Sequence, residues 1–263
     1  MSITYAAPAP LHRDGPPLVT LPWETLLRFM ADRWEPGQHI ASIGPTGEGK
    51  TTVNVGLLST RRYVLALDPK GEDDTLQRSG WIRVTRVPGE RMRYGSADRR
   101  AWHRIEQDIA EGRPARVIVG GPADTDDQDA RLMELMRRAI AYARHARGWT
   151  LYVDEFELLS SQRMFGLGAP IERMLIAARR AKTSVVTSYQ AQAWVSTHAT
   201  RQARFAFMYS TGSRPMIKNV AEAMGRDWQQ LGEAVDELPP FHFLIIPRGR
   251  NGGPMILTTA PRL

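Results

Sequence analysis

Residues 44–51 read Gly-Pro-Thr-Gly-Glu-Gly-Lys-Thr and fit the pattern GxxxxGK[ST] at every fixed position. Glycines at 44, 47 and 49 let a backbone curl until its N–H groups converge on an anion. A helix beginning at the lysine adds its positive end. In such a loop Lys50 bridges the β- and γ-phosphates of a nucleotide, and the Thr51 hydroxyl ligates Mg²⁺. The candidate nucleotide-contacting residues are Gly44, Pro45, Thr46, Gly47, Glu48, Gly49, Lys50, Thr51 and Thr52.

A phosphate cradle also needs a carboxylate for the metal. Leu151-Tyr152-Val153-Asp154-Glu155 offers one at the end of an apolar run. A strand there delivers Asp154 to the carboxyl edge of a sheet, where open α/β sheets place their ligands. Asp154 and Thr51 are thus the expected Mg²⁺ ligands, and Glu155 the group that draws a proton from an attacking water. Taken alone, Asp154 reads equally well as a helix cap with a first-turn glutamate. No NKxD guanine-reading motif and no LSGGQ-like signature occurs.

The elements around these motifs alternate. Apolar runs predict strands at 39–43, 63–67, 115–119, 150–153, 184–189 and 204–209. The clearest helix is predicted over 124–147, with Leu132, Leu135, Met136, Ala139, Ile140 and Ala143 at 3–4 spacing. Shorter helices are expected at 22–34, opened by Pro22, and at 51–59. Residues 241–247 and 255–259 read as a closing hairpin. Alternation of this kind predicts a mainly parallel sheet covered on both faces. Pro8, Pro10, Pro16 and Pro17 mark residues 1–20 as an N-terminal arm, which leaves 21–263 as one domain.

Composition narrows the classes. The chain has 263 residues and no cysteine, which excludes disulfides, thiol nucleophiles and thiolate metal sites. Its six histidines lack HExxH spacing. No apolar run reaches the ~20 residues that span a bilayer, and no signal peptide is evident, so a cytoplasmic location without membrane contact is expected. The net charge is +7. Only Lys50, Lys70, Lys182 and Lys218 are lysine; every other basic residue is arginine. Basic stretches lie at 81–104, 136–149, 173–182 and 201–218. Such a balance suits a polyanionic partner, although solvated faces and salt bridges explain many such residues.

Three segments together resemble the FtsK/HerA superfamily of ring-forming DNA pumps. They are GPTGEGKT at 44–51, Leu67-Asp68-Pro69-Lys70-Gly71, and Val185-Val186-Thr187-Ser188-Tyr189-Gln190, which is similar to a family strand ending in Ala-Thr-Gln. Tyr189 departs from that last pattern. The resemblance implies a RecA-like P-loop domain with strand order 5-1-4-3-2, and Gln190 beside the γ-phosphate as a sensor. It implies a pentameric or hexameric ring in which an arginine reaches the neighbouring subunit's nucleotide. Arg180 and Arg179 rank first for that role and Arg214 next. The implied activity is ATP-driven translocation of double-stranded DNA. The modest length fits a viral genome-packaging motor that docks on a capsid or portal protein. A plasmid or conjugative transfer ATPase is the alternative, as is an ATP-switched assembly protein that pumps no DNA.

Overall fold

The computed structural model describes residues 18–71, 74–89, 96–121, 125–163, 165–190, 198–249 and 253–261; the side chains of Asp74, Asp126 and Arg179 are outside this description. In chain order its elements are β1 (Leu18–Thr20), α1 (Trp23–Arg33), β2 (His39–Ile43), α2 (Lys50–Leu58), β3 (Tyr63–Leu67), α3 (Asp74–Arg78), β4 (Ile82–Val84), α4 (Ala97–Ala110), β5 (Ala115–Val119) and α5 (Asp126–Ala146). There follow β6 (Trp149–Val153), α6 (Phe156–Ser160), α7 (Gly168–Ala181), β7 (Ser184–Tyr189), α8 (His198–Gln202), β8 (Ala203–Tyr209), α9 (Arg214–Met224), α10 (Trp228–Asp236), β9 (His242–Pro247) and β10 (Met255–Thr259).

The strands form one sheet in the order β1-β10-β9-β8-β2-β7-β6-β3-β5-β4. Its middle five, β8-β2-β7-β6-β3, reproduce the expected 5-1-4-3-2 order when they are numbered along the chain. Those five pair in parallel throughout. Beyond β3, strands β5 and β4 continue the parallel sheet. Beyond β8, the hairpin β9–β10 pairs antiparallel, as the sequence predicts.

Alternate residues of each strand feed two cores. Leu65 and Leu67 of β3, with Leu151 and Val153 of β6, pack among apolar residues of α4, α5, α7, α9 and α10. Val64, Ala66 and Tyr152 face the other way, onto α1, α2 and α3. Both faces of the central strands are therefore dry. That is why these strands read as unbroken apolar runs and not as alternating ones.

Two expectations change in detail. The last three residues of the proposed arm form β1, which pairs in parallel with β10; residues 1–17 lie outside the described residues. The long helix runs over Asp126–Ala146, with Thr125 accepting a hydrogen bond from Gln128 N as its cap; residues 122–124 are not described. Among the described residues no helix is long and apolar enough to cross a membrane.

Candidate nucleotide site

Strand β2 ends at Ile43, and Gly44 N still donates to Tyr189 O at 3.2 Å. The loop therefore leaves from the middle of the sheet. A Cβ on Gly44 would lie 2.5 Å from Tyr209 Cβ on the neighbouring β8, so only glycine fits there. Gly47 and Gly49 have φ of +89° and +83°, the left-handed region open to glycine. Gly49 caps α2 without any side-chain hydrogen bond. The first N–H groups of α2 therefore remain available to an anion, as a phosphate cradle requires.

Lys50 Nζ donates to Gly44 O at 2.8 Å and Pro45 O at 2.6 Å. Burial pushes its ammonium below the ordinary lysine value, against the opposing pull of Asp154, Glu157, Glu48 and Glu155. Thr51 Oγ1 donates to Asp154 Oδ2 at 3.4 Å across 103 residues of sequence. This juxtaposition is the test for a metal. A hydroxyl and a carboxylate oxygen, both hard donors, meet beside a phosphate loop, and that donor set fits Mg²⁺ with a nucleotide. Asp154 is not the cap of α6. The cap position falls on Glu155, in left-handed backbone (φ +50°) and without a side-chain cap bond. Asp154 Oδ1 accepts instead from Glu155 N at 3.1 Å.

The Glu155 carboxylate is held from the turn after the neighbouring strand, β3. Lys70 Nζ lies 2.5 Å from Glu155 Oε1, and this hydrogen bond raises the Lys70 ammonium above its ordinary value. Lys70 stands on the turn after β3. There Asp68 Oδ1 accepts from Gly71 N at 2.9 Å, and Asp68 Oδ2 pairs with Arg83 Nη2 at 2.9 Å. Gly120 closes over the same turn: a Cβ there would sit 2.0 Å from Asp68 O. In the Asp-Pro-Lys-Gly element, then, Asp68 builds the turn and Lys70 reaches the site.

Gln190 follows β7, and its backbone N donates to Glu157 Oε1 at 3.0 Å. Burial raises the Glu157 carboxyl above its ordinary value. Tyr189 stays in β7. Its buried ring lies 6.1 Å from Phe156, and its hydroxyl bonds with Thr200 Oγ1. Its departure from the family-like pattern is therefore a packing feature.

These residues line one cleft of about 280 Å³. Thr46, Gly47, Gly49, Lys50, Thr51 and Thr52 come from the loop and α2, Asp154 and Glu155 from the turn after β6, and Glu157 from α6. Ser188, Tyr189 and Gln190 close it. Gly44, Pro45 and Glu48 belong to the loop but lie outside the lining. Glu157 and Lys70 were not singled out as site residues from sequence. Lys70 carried a signal in its motif; Glu157 carried none, because its role depends on β6 and β7 being neighbours.

The arginines divide by position. The end of α7, where Arg179 and Arg180 stand, lies at the amino ends of β6 and β7, since Gly148 N donates to Ala181 O and Thr183 N to Ala178 O. That is the edge opposite the cleft, so the chain's own Arg180, which is exposed, does not reach its own nucleotide loop. Arg214 follows β8 on the cleft's edge and pairs with Asp236 at 2.6 Å. Other basic residues serve the fold. Arg137 and Arg138 pair with Glu134, and Arg248 donates to Ala203 O and Thr200 O. Trp102 is buried, donates to Arg86 O at 2.6 Å and packs edge-on against Tyr142; Tyr94 lies outside the described residues.

Sheet order, phosphate loop and acidic strand end together define a RecA-like P-loop α/β fold. No family model matches the chain, and no curated protein matches it. Solved structures do. One is the DNA-packaging ATPase B204 from Sulfolobus Turreted Icosahedral Virus, at 16% identity and a TM-score of 0.56, covering 87% of this chain and 100% of that one. B204 from Sulfolobus turreted icosahedral virus 2, in complex with AMPPCP, matches at 16% identity and 0.54, covering 87% and 100%. VirB4 of Thermoanaerobacter pseudethanolicus matches at 11% identity and 0.57, covering 86% and 89%. At these identities the likeness is one of fold, and it agrees with the FtsK/HerA-type resemblance of the three sequence segments.

Proposed function

We propose that this protein is an ATPase that moves double-stranded DNA as a homo-oligomeric ring, in the manner of a viral genome-packaging motor. The observation that carries the nucleotide chemistry is the meeting of Lys50, Thr51 and Asp154 in one cleft. The fold shared with a DNA-packaging ATPase supports the motor reading. The fold shared with VirB4 keeps a conjugative transfer ATPase as the second reading.

In the proposed reaction, the backbone of 44–49 and the first turn of α2 hold the β- and γ-phosphates. Lys50 leaves its loop carbonyls for phosphate oxygens. Thr51 and Asp154 would hold Mg²⁺, which supplies charge neutralisation on those oxygens. Glu155 accepts a proton from water as the water oxygen bonds to the γ-phosphorus. The bond from that phosphorus to the bridging oxygen breaks, and ADP leaves. Gln190 stands at the phosphate end as donor and acceptor. Arg180 or Arg179 of an adjacent subunit meets the charge that develops on the γ-phosphoryl oxygens.

The test is ATP turnover with and without double-stranded DNA, for the parent and Glu155→Gln. The motor reading expects DNA stimulation in the parent, and nucleotide binding without turnover in the variant. Normal turnover by Glu155→Gln removes the proton-accepting role. Phosphate transfer to a small acceptor would make the protein a kinase.

A further inference from the structure

Two contacts tie the end of β6 to the end of β7. Phe156 packs against Tyr189, and Glu157 Oε1 accepts from Gln190 N at 3.0 Å. The helix that carries Glu157 begins one residue after Glu155, so Glu155 and Gln190 are fixed relative to each other through α6. Among the described residues only one of the Glu157 oxygens is used: Oε2 is buried and has no hydrogen-bond partner there. A carboxylate kept only for packing normally spends both oxygens, and a buried unsatisfied one calls for a functional account. Glu157 is one of the residues lining the cleft, and its carboxyl lies within the electrostatic reach of Lys50.

We propose that Glu157 is a positioning residue of the hydrolytic site, a bracket that holds the main chain at Gln190 against the phosphate end of the cleft. The proposal rests on the ATPase reading above. It deepens that reading by naming what sets the sensor's place. The glutamine side chain can report a phosphate only if its backbone is held, and misplacement of a positioning group by about 1 Å costs up to about hundredfold in rate.

The experiment compares Glu157→Ala and Glu157→Gln with the parent. It reads kcat and KM for ATP, the melting temperature, and hydrogen exchange at the Gln190 amide. Glu157→Gln keeps an oxygen that can accept from Gln190 N; Glu157→Ala does not. Glu157→Ala should lose about tenfold or more in kcat with KM changed less than about threefold, and its Gln190 amide should exchange faster. Glu157→Gln should keep at least about a third of the parent kcat. A Glu157→Ala kcat within about twofold of the parent overturns the proposal, as does equal loss in both variants, which would mark a charge requirement instead. A parent that hydrolyses no ATP sinks the ATPase reading. The bracket then stands or falls on the exchange result, with unchanged exchange in Glu157→Ala overturning it.

Discussion

The Lys70 ammonium and the Glu155 carboxylate, 85 residues apart in sequence, lie 2.5 Å from each other at the mouth of the nucleotide cleft. The side chain of Lys70 is 63% exposed and that of Glu155 28%. An ion pair this wet adds little to folding stability, because water screens it and two long side chains lose freedom. Its effect is to aim a carboxylate whose own backbone is already set in the left-handed region.

Lys70→Met should therefore separate activity from stability. The melting temperature should move by no more than about 2 °C, while kcat for ATP should fall about tenfold as Glu155 loses its direction. A rise in kcat would show the opposite, that Lys70 restrains the carboxylate.

Gly44→Ala probes the loop's exit from the sheet. Its Cβ would meet Tyr209 Cβ at 2.5 Å, and neither backbone can retreat without disturbing the β2–β8 pairing. Destabilisation of about 1–3 kcal/mol is expected, with weaker nucleotide binding. Chemical denaturation would read it, and an unchanged midpoint would contradict the close approach.

Glu157 gives a pH signature. Burial raises its carboxyl above the ordinary value of 4.5, so the folded state disfavours the ionised form. The stability it contributes is complete below the ordinary value and is lost as pH rises through the raised one. Glu157→Gln does not titrate there. Its melting temperature should gain on the parent's as pH rises above about 4.5. A constant difference over that range would mean that the carboxyl titrates as it does in the unfolded chain.

Arg180 is tested by mixing. Arg180→Ala alone should lose at least about a hundredfold in ATP turnover if it serves the neighbouring subunit. Mixed with Lys50→Ala, it should recover part of the loss, because some interfaces then pair an intact Lys50 with an intact Arg180. Full activity of Arg180→Ala would turn attention to Arg214, which stands on the cleft's own edge.

What could be read from sequence follows from how the elements are buried. Strands β2, β3, β5 and β7 have the bounds that their apolar runs predict, since both faces of each are covered. Strands β1 and β4 have three residues each and sit at the sheet's two margins, too short for any period to show. The phosphate loop and Asp154 were legible because local backbone chemistry demands those residue types at that spacing. The Lys70–Glu155 and Glu157–Gln190 contacts were not, because each depends on which strands become neighbours. The arginine count suggested more available cation than the fold leaves, since several guanidinium groups are spent on main-chain carbonyls.

Among the described residues, strand β1 bonds only to β10, so the first described segment of the chain completes its place against the last. During synthesis that margin of the sheet must wait until Met255–Thr259 has emerged. Until then, Leu18 has no strand to join. Cutting the chain before Leu21 would uncover the outer edge of β10, and such an edge invites strand addition from another molecule.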